Sequence, residues 1–193
     1  LQSKAEFLSM INIGKSSVIR MGPKVSMENA PSISKILYSN EFIKLKKRYL
    51  GFWHRKNIEM FAQNTEAMVN PPSGELHFDR RQTFKIWAYF NNVGDDEGPM
   101  RVVPKSILGP NGTLALRKSF GLRDLFDQSI NVHRPTADTK ADIEARAEKV
   151  TGSAGTLFVH DTDAWHGASP VKSGHRRWIA RSHHRPIKDF LIR

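Results

Sequence analysis

From about residue 58 onward the chain is cut into short apolar runs: FKIWAYF (84–90), MRVVP (100–104), GTLFVH (155–160) and RRWIARS (176–182). Between them stand PPSG (71–74), NNVGDDEGP (91–99) and GPNG (109–112). Proline presets φ and glycine accepts positive φ, so these clusters turn the backbone rather than extend it. Runs this short suit strands, and only TADTKADIEARAEKV (136–150) reads as a helix among them. Strands that are not interleaved with helices favour an antiparallel barrel or sandwich over a doubly wound sheet. The expected fold is therefore mainly β with flanking helices, a double-sheet jelly roll.

Upstream, SISKILYSNEFIKLKKRYL (32–50) places Ile33, Ile36, Leu37, Phe42 and Leu45 near helical spacing and ends at Gly51. That pattern predicts a surface helix packed on the core. With 193 residues, 39% of them apolar, the chain is expected to form one domain. Residues 1–57 read as a helical flank, 58–104 and 154–186 as the core, and 105–153 as an insertion or lid.

Several function classes drop out. The chain has no cysteine, which excludes disulfides, zinc ribbons and thiol chemistry. It has no secretory segment and no apolar run of membrane-spanning length, so a cytoplasmic location is the expectation. GKSS (14–17) lacks the glycine that a phosphate loop needs five positions earlier, where Ser9 stands. Asn111-Gly112-Thr113 matches a glycosylation acceptor but reads as a turn. The net charge of +11 suits an anionic partner, and LKKRYLGFWHRK (45–56) and HRRWIARSHHRPIK (175–188) concentrate it. It weights the substrate toward a small molecule bearing phosphate or carboxylate. A nucleic-acid partner ranks lower, because no regular platform of stacking aromatics accompanies the charge.

The candidate chemistry begins at His77-Phe78-Asp79, heading the run that continues into FKIWAYF. Alternate residues of a strand point to the same side, so the imidazole and the carboxylate can converge on one ion. The plain alternative is two polar residues at a sheet edge. A second histidine, His166, follows the β-run in TLFVHDTDAWHGASP and precedes a glycine. Two histidines and one carboxylate leave three coordination positions open, the arrangement of non-haem iron(II) oxygenases. His160, Asp161 and Asp163 are rival ligands at this stage. Beyond them, alternation in HRRWIARS puts Arg177, Ile179 and Arg181 on one face, where an arginine fork can clamp a carboxylate.

Taken together, HFD (77–79), FKIWAYFNNVGDDEGPMRVVPKS (84–106), GTLFVHDTDAWHGASP (155–170) and Arg177, eleven residues after His166, resemble the phytanoyl-CoA dioxygenase family of iron(II)/2-oxoglutarate oxygenases. The resemblance implies a double-stranded β-helix, with His77, Asp79 and His166 as iron ligands. It further implies that 2-oxoglutarate chelates the iron through its keto-acid end while Arg177 holds the far carboxylate, and that Trp87 lines the cosubstrate pocket. By the same comparison Asp161 falls at a turn. Two positions depart from the family: Ala168 stands where serine is frequent and Val171 where asparagine is, leaving Ser169 or Ser173 to supply a hydrogen bond. Arg176 is the runner-up clamp, since a one-residue slip reverses the inward face.

The implied reaction consumes dioxygen and 2-oxoglutarate, releases succinate and carbon dioxide, and hydroxylates a C–H bond. Related halogenases replace the carboxylate ligand with a small residue, and Asp79 in that place favours hydroxylation. Both histidines must be neutral to bind metal, so affinity is expected to fall as imidazoles protonate. The competing readings are a jelly-roll module that binds an anionic ligand without turnover, and an oxygenase that modifies a nucleic-acid base.

Overall fold

The computed structural model describes residues 2–14, 18–51, 59–66, 74–79, 83–108, 112–119 and 132–184. Most of PPSG and GPNG, of the 14–17 loop and of the basic stretch after Gly51, together with the end of the second basic stretch, lie outside them.

Five strands form the larger sheet, every pair antiparallel, in the order β1 (Val18–Met21), β2 (Glu59–Glu66), β10 (Arg176–His184), β4 (Phe84–Tyr89), β8 (Leu157–Asp161). A second, three-stranded sheet has β7 (Glu148–Val150), β5 (Met100–Val102) and β9 (His166–Ala168). A two-stranded ladder, β3 (Phe78–Asp79) with β6 (Val132–His133), joins β9 through a bridge between His77 and His166. The architecture is a jelly roll, as the spacing of the turns predicts.

Strand alternation divides the side chains of the larger sheet between two cores. Phe84, Ile86, Ala88 and Phe90 face outward with Ala180 and meet the helical flank at Phe7, Ile33, Leu37 and Leu50. Phe7, fully buried on α1 (Gln2–Gly14), stacks on Phe90 at 5.0 Å between centroids. Burying such a ring is worth roughly 2–3 kcal/mol. The other face of β4 and β10 sends Trp87, Tyr89 and Ile179 inward against Met100, Ala168 and Val150 from the smaller sheet. This inner core bounds the cavity side of the roll. A third cluster, Leu76, Phe78, Val103, Ile143 and Trp165, packs behind the smaller sheet.

The flank contains α2 (Pro23–Asn29), α3 (Pro31–Leu37) and α4 (Asn40–Leu50) as well as α1. The single helix expected over 32–50 is two, because the Ser39 hydroxyl accepts from the Phe42 amide and starts α4 afresh. Gly51 ends α4 with φ 74°, as the sequence suggests. The flank also supplies a strand, β1, which pairs with β2.

Residues 105–153 include α5 (Thr113–Ser119) and α6 (Ala137–Ala145), and they also give β7 to the sheet. The helix expected over 136–150 stops at Arg146. Edge pairing of Glu148, Lys149 and Val150 with Val102, Arg101 and Met100 overrides the helical propensity of that stretch. None of the described helices is long and apolar enough to cross a membrane.

Candidate metal centre

His77 and His166 lie opposite each other and exchange both backbone hydrogen bonds, at 2.9 and 2.8 Å. Directly opposed residues share a face, so the two rings come together with centroids 4.5 Å apart. Asp79, two residues along the strand from His77, shares that face. Its Oδ1 is 3.9 Å from His77 Nε2 and 3.7 Å from His166 Nε2. One ligand atom from each of the three lies within 4.8 Å of the others, a separation that one ion can span.

Each ring is set by its far nitrogen. His77 Nδ1 contacts the Glu75 carbonyl and His166 Nδ1 the Ala164 carbonyl, both at 2.8 Å. A carbonyl only accepts, so each Nδ1 carries the proton and each Nε2 keeps its lone pair toward Asp79. Burial pulls the His166 imidazole down to about 3, Lys85 and His77 adding to the shift while Asp79 and the Ala164 carbonyl oppose it. Burial also lowers His77, against the Glu75 carbonyl and Asp79. Both rings are thus held neutral, the form that binds metal. His166 Nε2 is buried and has no hydrogen-bond partner among the described residues. A metal ion supplies the partner that this atom lacks, so the donor set fits one.

Asp79 is braced from several directions. Its amide donates to the Thr162 carbonyl at 3.0 Å, and its own carbonyl accepts from Arg117 Nη2 at 2.6 Å. The second carboxylate oxygen, Oδ2, pairs with Lys85 Nζ at 2.9 Å. Burial by itself raises the Asp79 carboxyl, but Lys85, His166 and His77 together hold it below the usual carboxylate range. Lys85 therefore leaves one oxygen, Oδ1, facing the histidines. In the sequence Lys85 shares the strand parity of Trp87 in FKIWAYF, which marks a cation on the same face as that ring but not its partner.

Two of the rival ligands, Asp161 and Asp163, are occupied elsewhere, whereas both ring nitrogens of His160 are buried with no hydrogen-bond partner among the described residues. Asp161 accepts from the Asp163 amide at 2.9 Å and from the Tyr49 hydroxyl. Asp163, fully buried, pairs with Arg117 at 2.6 Å. His160 stands outside the three-residue group, its ring 4.9 Å from that of His166 and 5.8 Å from that of Trp87. Burial, with His166 and Lys85 adding to it, drives His160 well below the ordinary imidazole value.

Arg177 and Trp87 both face the inner core. Arg177 is 2% exposed, pairs with no carboxylate among the described residues, and donates to the Gly98 carbonyl. Burial lowers its guanidinium pKa, and Tyr89 partly offsets the shift. Arg176 points outward, exposed, over the Trp178 ring. Trp87 is buried and parallel to Phe158 at 5.7 Å, and its indole nitrogen has no partner among the described residues. Of the two candidate serines, Ser169 is buried and its amide binds the Pro99 carbonyl, whereas Ser173 is exposed in a turn.

Two histidines and one carboxylate gathered on an antiparallel β scaffold make up the ligand set of mononuclear non-haem iron(II) oxygenases. The chain belongs to the phytanoyl-CoA dioxygenase family, whose model matches residues 34–179. Its fold is shared by the epimerase SnoN, solved in complex with Fe3+, alpha-ketoglutarate and nogalamycin RO (TM-score 0.62, 13% identity, covering 95% of this chain and 74% of that one). EctD from S. alaskensis, solved with 2-oxoglutarate and 5-hydroxyectoine, is similar at a TM-score of 0.58 and 11% identity, over 90% of this chain. EvdO2 from Micromonospora carbonacea var. aurantiaca, complexed with 2-oxoglutarate, gives 0.53 and 14% over 89% of this chain and 69% of that one. The chain spans 57% of the length of EctD. No curated protein sequence matches it.

Proposed function

We propose that this chain is an iron(II)- and 2-oxoglutarate-dependent dioxygenase that hydroxylates a small molecule and releases succinate and carbon dioxide. One conjunction carries the reading. A three-ligand group whose buried His166 Nε2 has no partner among the described residues shares the inner side of the roll with Arg177, a buried cation with no carboxylate partner among them. A buried charge is costly unless paired, so Arg177 is built for an anion that arrives from outside.

In this reading His77, Asp79 and His166 hold iron(II), Arg177 takes the far carboxylate of 2-oxoglutarate, and Trp87 lines the cosubstrate pocket. Iron(II) held by these three residues would supply the activation of dioxygen and the attack on an unactivated C–H bond. The chain's own residues position and shield. The carbonyls of Glu75 and Ala164 fix both imidazole rings, Lys85 keeps Asp79 to a single facing oxygen, and Trp87 with Phe158 walls the interior against water. The charge of +11 supports an anionic substrate.

The test is an anaerobic titration of metal-free protein with iron(II) and 2-oxoglutarate, following the visible charge-transfer band of the chelate, with succinate assayed after oxygen is admitted. The band forms in the wild type, is lost in His166→Ala, and needs much more 2-oxoglutarate in Arg177→Ala. Folded wild type without a band refutes the reading and leaves a non-catalytic binding module.

A further inference from the structure

The register of the larger sheet sets a row of side chains across its inner face. Arg20 on β1 opposes Phe61 on β2, Phe61 opposes Arg181 on β10, Arg181 opposes Trp87 on β4, and Trp87 opposes Phe158 on β8. Directly opposed residues point the same way, so cations and rings alternate along the row. The Arg181 guanidinium carbon lies 5.1 Å from the Phe61 ring centre and 5.0 Å from that of Trp87. Arg20 adds a second cation on Phe61 at 5.7 Å.

Aromatic rings satisfy the faces of a guanidinium, not its edge. Of the five N–H donors that the group carries, those of Arg181 make one hydrogen bond among the described residues, to Gln63 Oε1 at 2.9 Å, and its buried Nε has none. It pairs with no carboxylate among the described residues. Asp79, whose charge favours the protonated form of Arg181, is already held by Lys85. Burial, with Arg177 reinforcing it, brings the Arg181 pKa down to about 10, so the group stays charged at neutral pH. A planar cation clamped between two rings, with a single edge donor spent among the described residues and facing the same interior as the three-ligand group, is oriented for an oxyanion.

We propose that Arg181 is a specificity-determining residue that binds a carboxylate or phosphate group of the substrate, separately from the 2-oxoglutarate clamp at Arg177. The inference rests on the oxygenase reading. Arg177 and Arg181 are two inward positions of one strand with Ile179 between them, so they can serve two anions in one interior.

The test uses the zinc(II)-loaded protein with 2-oxoglutarate, which does not turn over, and ligand-observed NMR titrations with propionate, ethylphosphonate and uncharged propionamide. The wild type binds at least one of the two anions and not the amide. Arg181→Met weakens that anion about tenfold or more, the loss expected for a charge-assisted hydrogen bond, while 2-oxoglutarate affinity changes less than about threefold. Arg181→Lys, which keeps the charge without the fork, regains part of the loss. The two anions distinguish a carboxylate from a phosphate substrate. Three results overturn the proposal: no anion binding in the wild type, equal binding in Arg181→Met, or a loss of 2-oxoglutarate affinity in Arg181→Met as large as that in Arg177→Met. If the wild type takes up no 2-oxoglutarate, the oxygenase reading fails and this inference falls with it. If it takes up 2-oxoglutarate while anion binding ignores Arg181, the inference alone fails.

Discussion

The metal-free protein should lose stability in mild acid through His166, and the loss can be isolated. In the unfolded chain this imidazole titrates near its ordinary value of 6.5, whereas in the folded protein burial holds it near 3. Between those values the unfolded chain binds a proton that the folded chain refuses, so stability falls as pH falls. The contribution is complete above pH 6.5 and is lost progressively toward pH 3. The slope approaches about 1.4 kcal/mol per pH unit, which makes the loss from His166 roughly 2 kcal/mol at pH 5 and about 5 kcal/mol once the folded form also titrates.

His160 and His77 are shifted in the same direction, so the wild type alone would mix three contributions. A double difference removes them. Urea unfolding of wild type and His166→Gln at pH 7.5 and pH 5, extrapolated linearly, should show the wild type losing about 2 kcal/mol more than the variant. Equal losses would refute the claim that His166 is held neutral by burial. The same displacement moves the acid limit of metal binding. Competition by protons should set in below pH 6.5, lower than free imidazoles would give, because both ligand histidines are depressed.

Two glycine substitutions should separate the metal from the cosubstrate. A Cβ at Gly167 would lie 2.9 Å from the Glu75 carbonyl oxygen that fixes the His77 ring. Gly167→Ala should weaken zinc(II) binding by about tenfold or more, the usual penalty for disturbing a ligand's support, as read by chelator competition. Gly98 has φ +70°, and a Cβ there would approach the Ser169 carbonyl oxygen to 2.6 Å. Gly98→Ala should cost more than about 1 kcal/mol in urea unfolding from the left-handed backbone alone. Because the Gly98 carbonyl holds Arg177, it should also raise the 2-oxoglutarate requirement while metal affinity stays within about threefold.

What could be read from the sequence follows the range of the interactions involved. Strand parity is local, so FKIWAYF alone separates Ile86 from Trp87 onto opposite faces, which the structure turns to the helical side and to the interior. The same parity puts Arg177 and Arg176 on opposite faces without saying which is inward; in the structure Arg177 is buried and Arg176 exposed. His77 and Asp79 were legible as a pair because two positions along a strand suffice to bring them onto one face. Non-local pairing was not legible. The sequence of Glu148–Val150 favours a helix, and only the free edge of β5 makes it a strand. Nor does any local pattern announce that Lys85 reaches Asp79, or that Arg117 braces both Asp79 and Asp163.

The pairing that matters most is of this second kind. His77 and His166 share a face only because they stand directly opposite, exchanging both backbone bonds. A slip of one residue between these segments would turn one ring away from the other and dismantle the three-ligand group without changing any residue in it. Gly167 bears on that register, since its missing Cβ lets the chain beside His166 lie against the Glu75 carbonyl. That carbonyl in turn sets the tautomer of His77. The glycine after the second histidine is therefore part of the metal-binding geometry. It leaves room for the backbone contact that brings the two ligands together and for the acceptor that keeps one of them ready to bind.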